Sequence, residues 1–388
     1  YDKSSVTKIV IDEGVPIVPN QVFKDMRHVK SVTIPSSVTS IGTGAFFECT
    51  DLSSITFAED SNLKFIGGYA FYQTDLTSIS VPASVERIGK AAFRECPNLS
   101  SVKFASKPRL KTVGEWAFYE TDLKEVVIPM SVTTIGKAAF EGCRRLTFVA
   151  FHENIRLEKI GAGVFSRTSI TSVNIPSSVT AIGEGAFRLC RRLSLVTFGG
   201  SNLKTIGEQA FSRTALTSFS IPPSVTTIGV GAFAKTPLEW VEVPSSVTKI
   251  EGAAFTDCKK LSSVTFVGKS ELEKIGAAGF YGTALKSVEI PFSVKTIGAG
   301  SFSHSALQSV TIPASVTNIE RAAFSQTSLA SVIIPSSVRT IGKEAFRSCS
   351  KLTDVTFLPS KPPDGFEENV LDNLCTGRKY GLFRRTMG

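Results

Sequence analysis

Ile135-Gly136-Lys137-Ala138-Ala139-Phe140-Glu141-Gly142-Cys143 is the stretch from which this chain is built. Its phenylalanine recurs in the same frame at Phe23, Phe46, Phe71, Phe93, Phe118, Phe140, Phe165, Phe187, Phe211, Phe233, Phe255, Phe280, Phe302, Phe324 and Phe346, at intervals of 22 to 25 residues. A fixed period in this range marks a solenoid, in which each unit is too small to bury its own apolar side and closes it against its neighbours. The reading predicts one repetitive body over residues 1–358, with about 15 repeats, and an irregular cap and basic tail over 359–388. In that last segment Pro359, Pro362 and Pro363 break the pattern and Arg378, Lys379, Arg384 and Arg385 follow.

Two forms of repeat alternate between Phe46 and Phe211. One runs from Phe118 through Thr121, Leu123, Val126, Ile128, Pro129 and Val132 to Ile135. The other runs from Phe93 through Cys96, Leu99, Val102 and Phe104 into a longer polar loop. The Val-x-Ile ending has period 2, so it predicts a short strand with Val and Ile turned inward. Proline follows at Pro35, Pro82, Pro129, Pro176, Pro222, Pro244, Pro291, Pro313 and Pro335, where a residue without an N–H ends the ladder. The Ile-Gly-x-x-Ala-Phe segment spaces its apolar groups as one helical or 3₁₀ turn would, on the opposite side.

The segment Ile-Pro-Ser-Ser-Val-x-x-Ile-Gly-x-x-Ala-Phe resembles the BspA-like class of leucine-rich repeats, over about residues 6 to 358. That resemblance implies an α/β solenoid, with a continuous parallel β-sheet on the concave face and short turns or helical turns on the convex side. It also implies a surface-exposed or secreted protein of the adhesin type. Fold alone does not assign function. An intracellular scaffold subunit, located in the cytoplasm, is the alternative.

Cys49, Cys96, Cys143, Cys190, Cys258 and Cys349 each lie three residues after an anchor phenylalanine, a position otherwise held by Thr74, Thr121, Thr168, Thr214, Thr236, Thr283, Ser305 or Thr327. All three residue types are small and carry one donor. The shared position predicts buried thiols that fill a corner and donate to a backbone carbonyl. Two rungs separate successive cysteines from Cys49 to Cys190, about 10 Å at the spacing of adjacent strands, too far for a disulfide. Cys375 stands outside this ladder as the candidate reactive thiol.

The net charge of +9 favours acidic or glycan-bearing protein partners over nucleic acid, although the positive groups also serve simply to keep the surface soluble. No apolar run approaches the roughly 18 residues of a membrane span. The chain begins at Tyr1 within a degenerate repeat, without a signal-peptide core, so a preceding segment is expected. Three histidines at unrelated repeat positions, and no metal-ligand or phosphate-loop spacing, predict no enzyme and no cofactor. Asn98-Leu99-Ser100 matches a glycosylation sequon.

Departures from the repeat locate the candidate site. The outward positions of the strands are mostly serine or threonine, as at Ser31 and Thr33 or Ser78 and Ser80. In the middle of the chain the first of these positions becomes Phe148, Leu195 and Trp240, with Glu125 and Glu242 nearby. Arg144, Arg145, Arg191 and Arg192 precede the first two of these strands. Outward aromatic and apolar groups on a polar sheet are the anchors that dominate interfaces. The sequence thus predicts a partner surface over about residues 125 to 260, apolar at its centre and basic along one rim.

Overall fold

The computed structural model describes residues 5–200 and 202–358; the expected cap and tail, and Cys375, lie outside the described residues. The chain divides into two compact units, Tyr1–Leu203 and Lys204–Gly388. In each, a repeat makes a rectangular coil: a long strand of three or four residues, a corner at proline, a two-residue strand, and a run of turns carrying the anchor phenylalanine.

Within each unit the anchor rings stack face to face. In the first unit neighbouring centroids from Phe23 to Phe187 lie between 5.2 and 5.6 Å apart, and Phe118 and Phe140 are within 2° of parallel. The second unit repeats this from Phe211 to Phe346, as for Phe255 and Phe280 at 5.3 Å and 3°. A ring every rung removes apolar area from water that no single coil could cover.

The expected helical turn is not formed: no α-helix occurs among the described residues. The reason is visible in the stretch around Phe140. Ala138, Phe140 and Gly142 donate their N–H groups to the next rung, at Ala162, Val164 and Ser166, over 2.8, 3.0 and 2.9 Å. Ala139, Glu141 and Cys143 instead donate three residues back, to Gly136, Ala138 and Phe140. Alternation of this kind needs left-handed backbone two residues before and after each anchor, seen at Ala138 (φ 54°) and Gly142 (φ 76°). A helix would consume every N–H internally at negative φ. The coils also approach so closely that a Cβ on Gly136 would sit 2.4 Å from the Glu115 nitrogen.

The continuous sheet is likewise on the other side from that expected. In the first unit the two-residue strands Ile17–Val18, Ser40–Ile41, Phe65–Ile66, Arg87–Ile88, Thr112–Val113 and Thr134–Ile135 form one parallel six-stranded sheet. The second unit's short strands run unbroken from Thr205–Ile206 to Thr340–Ile341. The long strands instead ladder mainly in pairs: Ser78–Val81 with Ser101–Phe104, Glu125–Ile128 with Phe148–Phe151, and Ser172–Ile175 with Leu195–Phe198. Between pairs the link is at strand entry, as where the Lys124 N–H donates to the Ser100 carbonyl at 3.3 Å. The second strand of each pair ends in a phenylalanine (Phe104, Phe151, Phe198) that is only half-buried, where its partner ends in a buried Val81, Ile128 or Ile175. The bulkier end and longer exit loop turn that strand away from the next one.

Candidate functional site

The corner occupied by cysteine or threonine is structural. Cys96 Sγ donates to the Phe71 carbonyl at 3.0 Å, and Thr74 of the preceding rung donates to the same oxygen at 3.0 Å. The same arrangement joins Cys143 and Thr121 at Phe118, Cys190 and Thr168 at Phe165, and Cys258 and Thr236 at Phe233. Cys49, Cys96, Cys143, Cys190 and Cys258 are free thiols with no exposed surface, and Cys349 is equally buried. Burial pushes the Cys143 thiol up to about 12 and that of Cys96 to about 11, so neither is a thiolate at neutral pH. Among the described residues no three His, Cys, Asp or Glu side chains converge to hold a metal. Asn98 is exposed at a turn, its amide donating to Asp75, while Leu99 is fully buried just ahead of the strand rather than within it.

The long-strand face carries the predicted departures. Alternation sends Val126 and Val149 into the core, at 1% and 4% exposure, and Glu125 and Phe148 outward. Phe148 is 51% exposed and lies directly across from Glu125, and Leu195 is 55% exposed and lies across from Ser172. Val127 adds a further exposed apolar group facing Ala150. In the second unit Trp240 is 42% exposed, paired with Ser263, and Glu242 follows it outward against Thr265.

All four arginines of the predicted rim are exposed, but they are not equivalent. Arg145 is bound to Asp122 at 2.9 Å. Among the described residues Arg144, Arg191 and Arg192 have no carboxylate within salt-bridge distance. The free charge is therefore three arginines in the first unit. In the second unit an open cleft between Lys235, Thr236, Pro237, Asp257, Lys259 and Lys260 holds Lys235 against Asp257 at 3.6 Å.

Two features escaped the sequence reading. Met130 and Phe292 are exposed directly after the strand-ending proline, in a column that is serine at Ser36, Ser177, Ser245 and Ser336; the same departure rule, applied one column further, finds them. The second is on the turn face of the first unit. Arg94 lies 4.9 Å from the Tyr119 ring, 5.7 Å from Trp116 and 6.0 Å from Tyr72, and Lys90 lies 4.7 Å over Trp116. Phe47 stacks on Tyr72 at 4.8 Å beneath Lys24. Glu95 accepts from Arg94, Tyr72 and Gln73 at 2.8 to 2.9 Å. Partial burial alone would raise the Glu95 carboxyl, but these donors and the Arg94 charge hold it below the usual range. The legible signal is the column one residue after each anchor, which reads Lys24, Phe47, Tyr72, Arg94 and Tyr119 before becoming Glu141 and Ser166.

With this geometry in hand, comparison with known proteins is decisive for the family. Residues 1–109, 64–194, 111–237, 158–271 and 273–373 match the BspA-type leucine-rich repeat region. The chain belongs to the BspA-type leucine-rich repeat family. This leucine-rich repeat protein is similar to one from Bacteroides ovatus of known structure, at 26% identity and a TM-score of 0.63, over 90% of this chain and 86% of that one. It is also similar to the pneumococcal vaccine antigen PcpA, at 22% identity and a TM-score of 0.54, over 92% and 90% of the two chains; that likeness concerns the fold. A search of curated proteins returned no match. Leucine-rich repeats are interaction modules, so the family assigns recognition of proteins rather than catalysis. Among the described residues no helix is long and apolar enough to cross a membrane.

Proposed function

We propose that this protein is a non-enzymatic recognition platform of the cell surface or secreted type, adhesin-like, which engages protein or glycan-bearing partners through its long-strand faces. The observation that carries the reading is the outward exposure of Phe148 and Leu195 in the first unit and of Trp240 in the second, in a column held mostly by serine. Exposed apolar groups of this size on a rigid polar sheet pay a solvation cost that a bound partner removes. Glu125 and Glu242 beside them and the arginines beyond supply polar selectivity around the apolar centre.

The test is binding of the intact chain to a panel of immobilised matrix proteins, including fibronectin, laminin and collagen, beside a Phe148→Ser/Trp240→Ser variant. Both substitutions restore the serine common in that column, so the fold is preserved. Retention of wild type and loss of the variant is the expected result. Equal behaviour of the two, or capture of wild type by none of the panel while cytosolic subunits bind both forms, overturns the reading in favour of a scaffold.

A further inference from the structure

Resting on that reading, we infer that the strand face of the first unit takes an acidic amphipathic α-helix of a partner protein. The argument is one of period and breadth. Phe148 and Leu195 belong to alternate rungs, the repeats of Cys143 and Cys190, with Ser172 on the rung between them. Over the same rungs the stacked rings of Phe140, Phe165 and Phe187 are each 5.6 Å from the next, so the two anchors repeat at about 10 to 11 Å. Arg144 and the pair Arg191 and Arg192 precede the same two strands, so unpaired positive charge repeats with the same period.

An extended segment presents one face every second residue, at about 6.6 Å or 13 Å, and misses this spacing. An α-helix returns to the same face after seven residues, about 10.5 Å, and meets it. A polyproline helix also returns at about 9.3 Å after three residues, but it is thin. The arginine row stands on the turns closed by the Leu146 N–H on the Cys143 carbonyl and the Leu193 N–H on the Cys190 carbonyl, directly before the anchor strands. An α-helix with its side chains is about 10 to 12 Å across and reaches both rows at once, one face apolar and the adjoining face acidic. A sulfated glycan matches the arginines but has nothing to cover Phe148 and Leu195. Glu125 lies in the anchor row itself, in register with Phe148, so the acidic side of the helix turns toward the arginines and not toward this row.

The experiment uses the intact chain and two designed acidic helical peptides of about 21 residues, identical in composition, with leucines spaced by seven or by five. Fluorescence anisotropy measures affinity, with heparin as a third probe. The seven-spaced peptide is expected to bind about ten-fold more tightly than the five-spaced one, and Leu195→Ser to lower its affinity about ten-fold. An Arg144→Glu/Arg191→Glu variant is expected to abolish its salt dependence. Equal affinity for the two peptides, no effect of Leu195→Ser, or binding of heparin alone overturns the helix. If the Phe148→Ser/Trp240→Ser variant still loses matrix-protein binding in that event, the face remains a recognition surface and only its occupant is wrong. If it does not, both readings fall together.

Discussion

The strand face and the turn face of the first unit are made by the same repeats and handle their cations in opposite ways. On the turn face Lys90 and Arg94 lie over aromatic rings and are bound to Glu115 and Glu95. Beside the strand face Arg144, Arg191 and Arg192 have no acidic partner among the described residues, and Phe148 and Leu195 stand exposed. An interaction closed within the molecule contributes to folding, and the same groups left open can contribute only to binding. The backbone supports this division. Trp116 and Tyr69 both hold left-handed φ values of 55°, at a position that is glycine in Gly44 and Gly163. Large side chains at such a conformation carry strain, which the packing of rings and cations along that face offsets.

The most severe way to break the comparison is to remove what both faces stand on. Phe118→Ala should destabilise the first unit by about 3 to 5 kcal/mol, because its fully buried ring stacks on Phe93 and Phe140. Urea unfolding followed by Trp116 fluorescence reads the loss, and a change under 1 kcal/mol would show the ring column to be dispensable.

Arg94→Ala should cost about 1 to 2 kcal/mol in the same assay and leave partner binding unchanged, since it removes cation contacts with three rings. Loss of binding at full stability would mean that the turn face, not the strand face, is the recognition surface.

Acid separates the faces more gently. The Glu95 carboxyl is depressed in the folded state, so the stability it contributes is present above the ordinary carboxylate pKa of about 4.3 and is lost as pH falls through that value and below. Wild type should therefore lose thermal stability between about pH 5 and 3 more steeply than Glu95→Gln. Parallel curves would exclude Glu95 as a contributor.

The smallest effect belongs to the one rim arginine that is paired. Asp122→Asn should change stability by less than about 0.5 kcal/mol, because the Arg145 side chain is largely exposed, yet it should quicken association with an acidic partner by freeing a fourth charge. A slower association would place Asp122, rather than Arg145, in contact with the partner.

Much of this was legible beforehand because a repeat prints its own structure many times over. The phenylalanine column, the inward valines and the interchangeable cysteine and threonine corner are each one chemical requirement restated in rung after rung, with few exceptions such as Met26 and Phe219. Phe148 and Leu195 were readable as outward groups because strand alternation leaves no other place for them. The turn was misread because Ile-Gly-x-x-Ala-Phe has helical apolar spacing, while the destination of alternate N–H groups depends on a rung some 22 to 25 residues away. The aromatic cluster was missed for a related reason: Tyr72, Arg94 and Tyr119 look like unrelated departures until stacking brings them side by side.

The sequence by itself determined the period, the family and which side chains face in or out, since these follow from local patterns of size and polarity. Only the tertiary structure decided which strands form a continuous sheet, which arginine is neutralised and which aromatic face is already occupied. Those outcomes depend on distances between residues of different rungs, and the identity of a residue carries no information about how far away its neighbour in the next coil will lie.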